Sequence, residues 1–250
     1  PVSNPAQWQS FLALPQVLYT HSELEKLIPV SLLERKFRKK YNPFLAHINW
    51  AAFIARKQSE VIGRIVASID YLWPDQTAGF FGFLECIEEP ATCQKLLAAA
   101  SAWLVAHKRT QLIGPVNLST SDNLGCLVEG FNEPNPFYLP YNPSYYDGLL
   151  RDSGLLPLRD LYSYTWQNSQ VLSERITKIG TRLEKSTNAK VRPINYSQLQ
   201  REALAFYDIY NQAMVKNWGH VPLTMDEAEY ILSSHQKQIP PEYFLFAKVE

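Results

Sequence analysis

The 250 residues suffice for one large domain or two ordinary ones, and with 46% apolar and 19% charged residues the chain can bury a core and is not disordered. Its 24 Lys and Arg cancel its 24 Asp and Glu, so a generally basic nucleic-acid surface is excluded and no nucleic-acid partner is expected. Cys86, Cys93 and Cys126 form no C-x-x-C or Cys/His cluster, which argues against a zinc site and for free, mostly buried thiols in a reducing cytoplasm.

In chain order, residues 4–12 and 22–40 read as helical, the second with Ser22 and Glu25 at capping-box spacing. The basic run Arg35, Lys36, Arg38, Lys39 and Lys40 reads as a solvated helix face. Trp50 to Arg56 and Val61 to Tyr71, separated by a turn at Gln58-Ser59-Glu60, read as an antiparallel hairpin, with Gly79 to Ile87 as a third strand. Residues 90–108 form the clearest helix: Pro90 suits the first helical position, and Leu96, Leu97, Ala100, Trp103 and Leu104 share one face. Gln111 to Val116 then reads as a strand parallel to the third, giving a β-α-β unit with a right-handed crossover. Phe137 to Pro140 reads as a strand. A short helix runs from Asn142-Pro143 to about Arg151, closed by Gly154. Leu158 to Gln167 reads as a strand and residues 170–186 as a polar connecting helix. A strand from Lys190 to Ile194, helices from Leu199 and from Thr224, and a strand from Tyr243 give a β-α-α-β order. Thr224 and Glu227 again have capping-box spacing.

The words Tyr41-Asn42-Pro43-Phe44, Gly63-Arg64-Ile65, Gly79-Phe80-Phe81-Gly82-Phe83-Leu84-Glu85-Cys86, Gly114-Pro115-Val116-Asn117, Tyr141-Asn142-Pro143-Ser144-Tyr145-Tyr146 and Asn217-Trp218-Gly219-His220 span nearly the whole chain. Together with the element order they resemble the bacterial ceramide synthase-like branch of the GNAT acyltransferase superfamily. The resemblance implies an α/β fold in which an antiparallel meander is followed by a splayed parallel pair. It implies a GNAT-like domain over 1–168, a connector over 169–189, and the start of a second GNAT-like domain over 190–250. The chain is expected to be a piece of a longer protein. The activity implied is acyl-CoA-dependent N-acylation of an amine, with a lipid amine as acceptor and no metal. The setting is cytoplasmic, at most peripheral to a membrane, since no stretch reaches the roughly 18–20 apolar residues that cross a bilayer.

On that resemblance the acyl-CoA lies where the third strand parts from its parallel neighbour, along Cys86, Ile87 and Thr92 on one side and Asn117 and Ser119 on the other. Helix N-termini favour anions in general, but here the phosphate loop is Ile87-Glu88-Glu89-Pro90-Ala91-Thr92-Cys93. It has no glycine and two acids that repel a pyrophosphate. Glu85, ending an apolar strand, is the candidate base, because partial burial raises a carboxyl pKa. Tyr145 or Tyr146, which the sequence does not separate, is the candidate acid for the leaving thiolate. Asn123 and Asn142, with Trp218 and His220 between two later helices, are candidates for acceptor contacts. The 117–123 loop equally suits turn chemistry. The acids of the phosphate loop equally suit a scaffold that keeps the fold without CoA. A serine-hydrolase or nucleotide-binding reading finds no G-x-S-x-G, G-x-x-x-x-G-K-[ST] or G-x-G-x-x-G.

Overall fold

The computed structural model describes residues 1–20, 27–133, 139–167, 173–186, 190–236 and 238–248. The expected capping box at Ser22 and Glu25, and the first two residues of the strand expected over Phe137 to Pro140, lie outside these; Leu139 and Pro140 are not in a strand. The chain divides into two compact units, Pro1–Arg159 with Val215–Pro222, and Asp160–Met214 with Leu223–Glu250.

The first unit is a mixed α/β structure. Helix α1, Pro5–Ala13, starts where Asn4 accepts from the Gln7 amide, and the four-residue α2, Pro15–Leu18, follows it. Helix α3 covers only Val30–Lys36, because Pro29 favours extended geometry ahead of it and the basic run continues past its end. Within that run Lys36 pairs with Asp122 and Arg38 with Glu34, so it is partly tied down rather than merely solvated. Strands β1 (Ile48–Lys57), β2 (Glu60–Asp70) and β3 (Ala78–Cys86) form the expected antiparallel meander. Helix α4, Pro90–Ala106, crosses over to β4, Gln111–Ile113, which pairs parallel to β3, giving the order β1-β2-β3-β4.

Each sheet face is covered. Ile65, Ala67, Ile69, Phe81 and Leu84 pack with Leu96, Leu97, Ala100 and Leu104 of α4. On the opposite face Val66 and Phe83 pack with Phe11, Leu12, Leu33 and Phe37. Burying a large apolar side chain is worth about 1.5–3 kcal/mol, so these two layers fix which β2 residues face which helix.

Helix α5, Tyr146–Asp152, starts four residues later than Asn142, and Gly154, at φ 86°, follows it as expected. The strand expected over Leu158 to Gln167 is absent: the segment is exposed and has no ladder. Alternation fixes which side chains would share a face, but a strand also needs a neighbour to take its backbone hydrogen bonds.

The second unit contains α6 (Glu174–Ser186), β5 (Lys190–Pro193), α7 (Leu199–Ala213), α8 (Met225–His235) and β6 (Leu245–Lys248). The β5 and β6 strands pair antiparallel. The capping box at α8 is present, with Thr224 Oγ1 accepting from the Glu227 amide and Glu227 accepting from the Thr224 amide. Arg192 meets the buried Glu202 of α7 at 2.9 Å.

Candidate active site

The parallel pairing of β3 and β4 is short, joining Ala78, Gly79 and Phe80 to Gln111, Leu112 and Ile113. Pro115 has no N–H, so a regular ladder cannot run through it. The chain instead follows β3 irregularly: the Val116 amide donates to Phe81 O at 2.7 Å, and Asn117 Oδ1 accepts from the Phe83 amide at 2.7 Å. This approach is close enough to require Gly82, where an added Cβ would lie 2.0 Å from Val116 O. The β2–β3 register also shifts between Arg64 and Val66, and Phe83 has φ 49°, the mark of a bulge. Bulges re-aim neighbouring side chains. Here the bulge precedes Glu85.

Glu85 is buried on the α1 side of the sheet. Its Oε2 accepts from the Tyr19 hydroxyl at 2.6 Å and from the Tyr146 hydroxyl at 2.9 Å, and its Oε1 lies 3.5 Å from Arg64 Nη2. Arg64 is itself buried, donates to Phe11 O at 2.8 Å and lies over the Phe11 ring. Burial pushes the Glu85 carboxyl up, against the opposing pull of Arg64 first and of the Tyr19 and Tyr146 hydroxyls next. Burial, and then the charge of Glu85, push both phenols above their ordinary value, so they stay protonated as donors.

The two adjacent tyrosines converge on one strand end. Tyr146 is buried and also accepts from the Cys86 amide at 2.9 Å, while half-buried Tyr145 donates to Cys86 O at 2.9 Å. Both polar atoms of the Cys86 backbone are thereby taken up by side chains rather than by a fourth strand. The hydrogen bond with the neighbouring Cys93 sulfur, and then burial, push the Cys86 thiol up.

The other expected contact residues are placed as follows. The Ile87 amide donates to Ile62 O at 3.1 Å, toward β2 and away from the parting. The Thr92 hydroxyl donates to Glu89, which also meets Lys57 at 3.0 Å. Pro90 brings no N–H to the α4 start, and the Thr92 and Cys93 amides donate to Glu89 O at 3.0 and 3.3 Å. At the α4 start the Thr92 and Cys93 amides are thus engaged and the Glu89 carboxylate stands beside them. Glu88 is exposed. Ser119 is buried and accepts from the Ser121 amide at 3.1 Å, a turn bond, whereas Asn123 donates to the distant Leu139 O at 3.2 Å. Asn142 is buried with its amide group clamped onto Leu127, accepting from the Leu127 amide at 2.7 Å and donating to Leu127 O at 3.1 Å.

Trp218 and His220 lie in Val215–Pro222, a segment that packs with the first unit although it was read as part of the later β-α-α-β stretch. Trp218 meets Trp73 edge-on at 6.2 Å, Arg159 lies over its ring, and the Thr120 hydroxyl donates to Gly219 O at 2.6 Å. The His220 amide donates to Asn217 O at 3.2 Å. Arg64 and Tyr19 escaped the sequence reading. Arg64 carried a signal, since a charge in the middle of an apolar strand needs a buried partner; Tyr19 carried none.

Comparison with curated proteins gives 29% identity to "Bacterial ceramide synthase" of Caulobacter vibrioides (strain NA1000 / CB15N), covering 100% of this chain and 66% of that protein. The chain is a relative of bacterial ceramide synthase. It is also 27% identical to "Protein YghO" of Escherichia coli (strain K12), over 99% of this chain and 64% of that protein. The resemblance read from the sequence words is thus borne out for the ceramide synthase-like branch, and the four-stranded mixed sheet agrees with the α/β fold expected of it. The chain spans just under two thirds of the length of these relatives. No family model matches the chain, and no solved structure matches it significantly. Among the described residues no group of His, Cys, Asp and Glu is arranged to hold a metal ion, and no helix is long and apolar enough to cross a membrane.

Proposed function

We propose that this ceramide synthase relative takes part in N-acyl transfer from an acyl thioester, in the first place acyl-CoA, to a long-chain amine. The observation that carries this reading is the buried Glu85 carboxylate with two tyrosine hydroxyls on one oxygen, at the end of a strand that parts from its parallel neighbour. The thioester supplies the activated acyl carbon. The amine nitrogen bonds to that carbon as the carbon–sulfur bond breaks, so one proton leaves the nitrogen and one joins the thiolate. Glu85 is the acceptor of the first proton. Tyr146 or Tyr19 relays it, taking the amine proton while passing its own to Oε2, so that no phenolate forms. Tyr145, half-buried at the same strand end, is the donor for the thiolate. Arg64 is a positioning residue that holds the carboxylate. Asn123, Asn142, Trp218 and His220 remain candidates on the acceptor side.

One observation favours a second reading, a domain that keeps the fold without CoA: Glu89 and its partners fill the α4 start. The two separate by experiment. Palmitoyl-CoA and a long-chain amino alcohol are incubated with the protein extended to the length of its relatives, amide product is measured by mass spectrometry, and palmitoyl-CoA binding is measured by calorimetry. Amide formation that is lost in Glu85→Gln supports transfer. Absence of acyl-CoA binding by that protein sinks the enzyme reading and leaves the scaffold.

A further inference from the structure

A second feature lies in the second unit and is independent of the acyl-transfer reading. Helix α6, Glu174–Ser186, carries Ile176, Ile179 and Leu183 at three- and four-residue spacing, which puts them on one face. Those side chains are 55%, 49% and 53% exposed. Gly180 borders the same face, and a Cβ added there meets no atom within 4 Å, so the surface beside the stripe is open. Arg175, Lys178 and Arg182 repeat the same three- and four-residue spacing and line one flank of the stripe. All three are exposed, and Lys178 also meets Glu174 at 3.0 Å.

An apolar stripe with a cationic flank is the pattern of a helix that lies in the plane of a membrane surface: the apolar side chains enter the acyl boundary and the long cations extend to the headgroups. The charge of the flank selects the surface. We infer that α6 docks on an anionic lipid bilayer through Ile176, Ile179 and Leu183, with Arg175, Lys178 and Arg182 set against acidic headgroups. With about 13 residues the helix is too short to span a bilayer and long enough to lie on one.

The test is flotation of the protein, extended to the length of its relatives, with vesicles of phosphatidylcholine alone or with 30% phosphatidylglycerol, in low salt and in 0.5 M salt. Binding is expected to the anionic vesicles and to weaken with salt, since each cation near such a surface contributes about fivefold. Arg175→Gln/Lys178→Gln/Arg182→Gln changes only exposed charges and is expected to weaken low-salt binding at least about tenfold. Ile176→Ser/Ile179→Ser is expected to weaken binding at both salt concentrations while the melting temperature is kept. Equal binding to both vesicle types, or charge-variant binding equal to that of the parent, overturns the inference. A fall in melting temperature for Ile176→Ser/Ile179→Ser without vesicle binding by the parent also overturns it, and assigns the stripe to packing against protein. None of these readouts depends on acyl transfer, so the two proposals fail separately.

Discussion

The Tyr146 hydroxyl donates to Glu85 Oε2 at 2.9 Å and at the same time accepts from the Cys86 amide at 2.9 Å. One phenol thus serves a buried carboxylate and an otherwise unpaired strand edge. Tyr146→Phe should leave both without that partner and cost about 1–3 kcal/mol, as loss of a buried hydrogen-bond partner does. Urea unfolding measures it, and a change within error would show that another group, or water, replaces the hydroxyl.

The charge pair beneath it should behave asymmetrically. Arg64 and Glu85 are both buried and 3.5 Å apart. Removing one partner strands the other's charge, so Arg64→Leu should destabilise by about 3–5 kcal/mol, whereas Arg64→Leu/Glu85→Leu should cost less than Arg64→Leu alone. The double-mutant cycle is read from the same urea curves; additive losses would mean that the two side chains do not interact.

Glu85 should also leave a mark on pH dependence. Burial raises its carboxyl above the ordinary 4.5. The folded state then holds this proton more tightly than the unfolded chain, so its contribution to stability is complete below 4.5 and is lost as pH rises through the raised value. Glu85→Gln should flatten that part of the stability curve. If Glu85 is also the base, acyl transfer should rise with pH over the same window in the parent, and Glu85→Gln should lose both the activity and the limb. A parent rate independent of pH from 4.5 upward would exclude Glu85 as the titrating base.

Gly82 and Gly148 offer a steric contrast. An added methyl at Gly82 would lie 2.0 Å from Val116 O, a backbone atom, whereas at Gly148 in α5 it would meet nothing within 4 Å. Gly82→Ala should destabilise by about 1–3 kcal/mol or more, and Gly148→Ala should stabilise by about 0.5–1 kcal/mol through helix propensity. A melting temperature unchanged or raised in Gly82→Ala would refute the close approach at Gly82.

The acidic start of α4 makes a further prediction. If charge at Glu88 and Glu89 opposes a bound phosphate, Glu88→Gln/Glu89→Gln should raise palmitoyl-CoA affinity in low salt, with a gain that shrinks as ionic strength rises. The gain should be modest, because Pro90 and the engaged amides of Thr92 and Cys93 remain. Calorimetry across a salt series reads it, and affinity unchanged at every salt concentration would assign the exclusion to loop shape.

What the sequence determined by itself is what repeats locally. The β-β-β-α-β order followed from the apolar runs of the three strands and the helical face of Leu96, Leu97, Ala100 and Leu104, because period and burial act within a few residues. The capping box at Thr224 and the closing Gly154 were legible for the same reason. Tertiary structure decided what depends on distant partners. Tyr19 reaches Glu85 across 66 positions, and no local pattern in the α2 stretch announces that hydrogen bond. The sequence did not separate Tyr145 from Tyr146, whereas the fold gives them different bonds at the end of β3: Tyr145 meets Cys86 O, and Tyr146 meets both Glu85 and the Cys86 amide. Leu158 to Gln167 alternates and forms no strand, because alternation specifies a face while hydrogen-bonding neighbours are supplied only by the folded sheet.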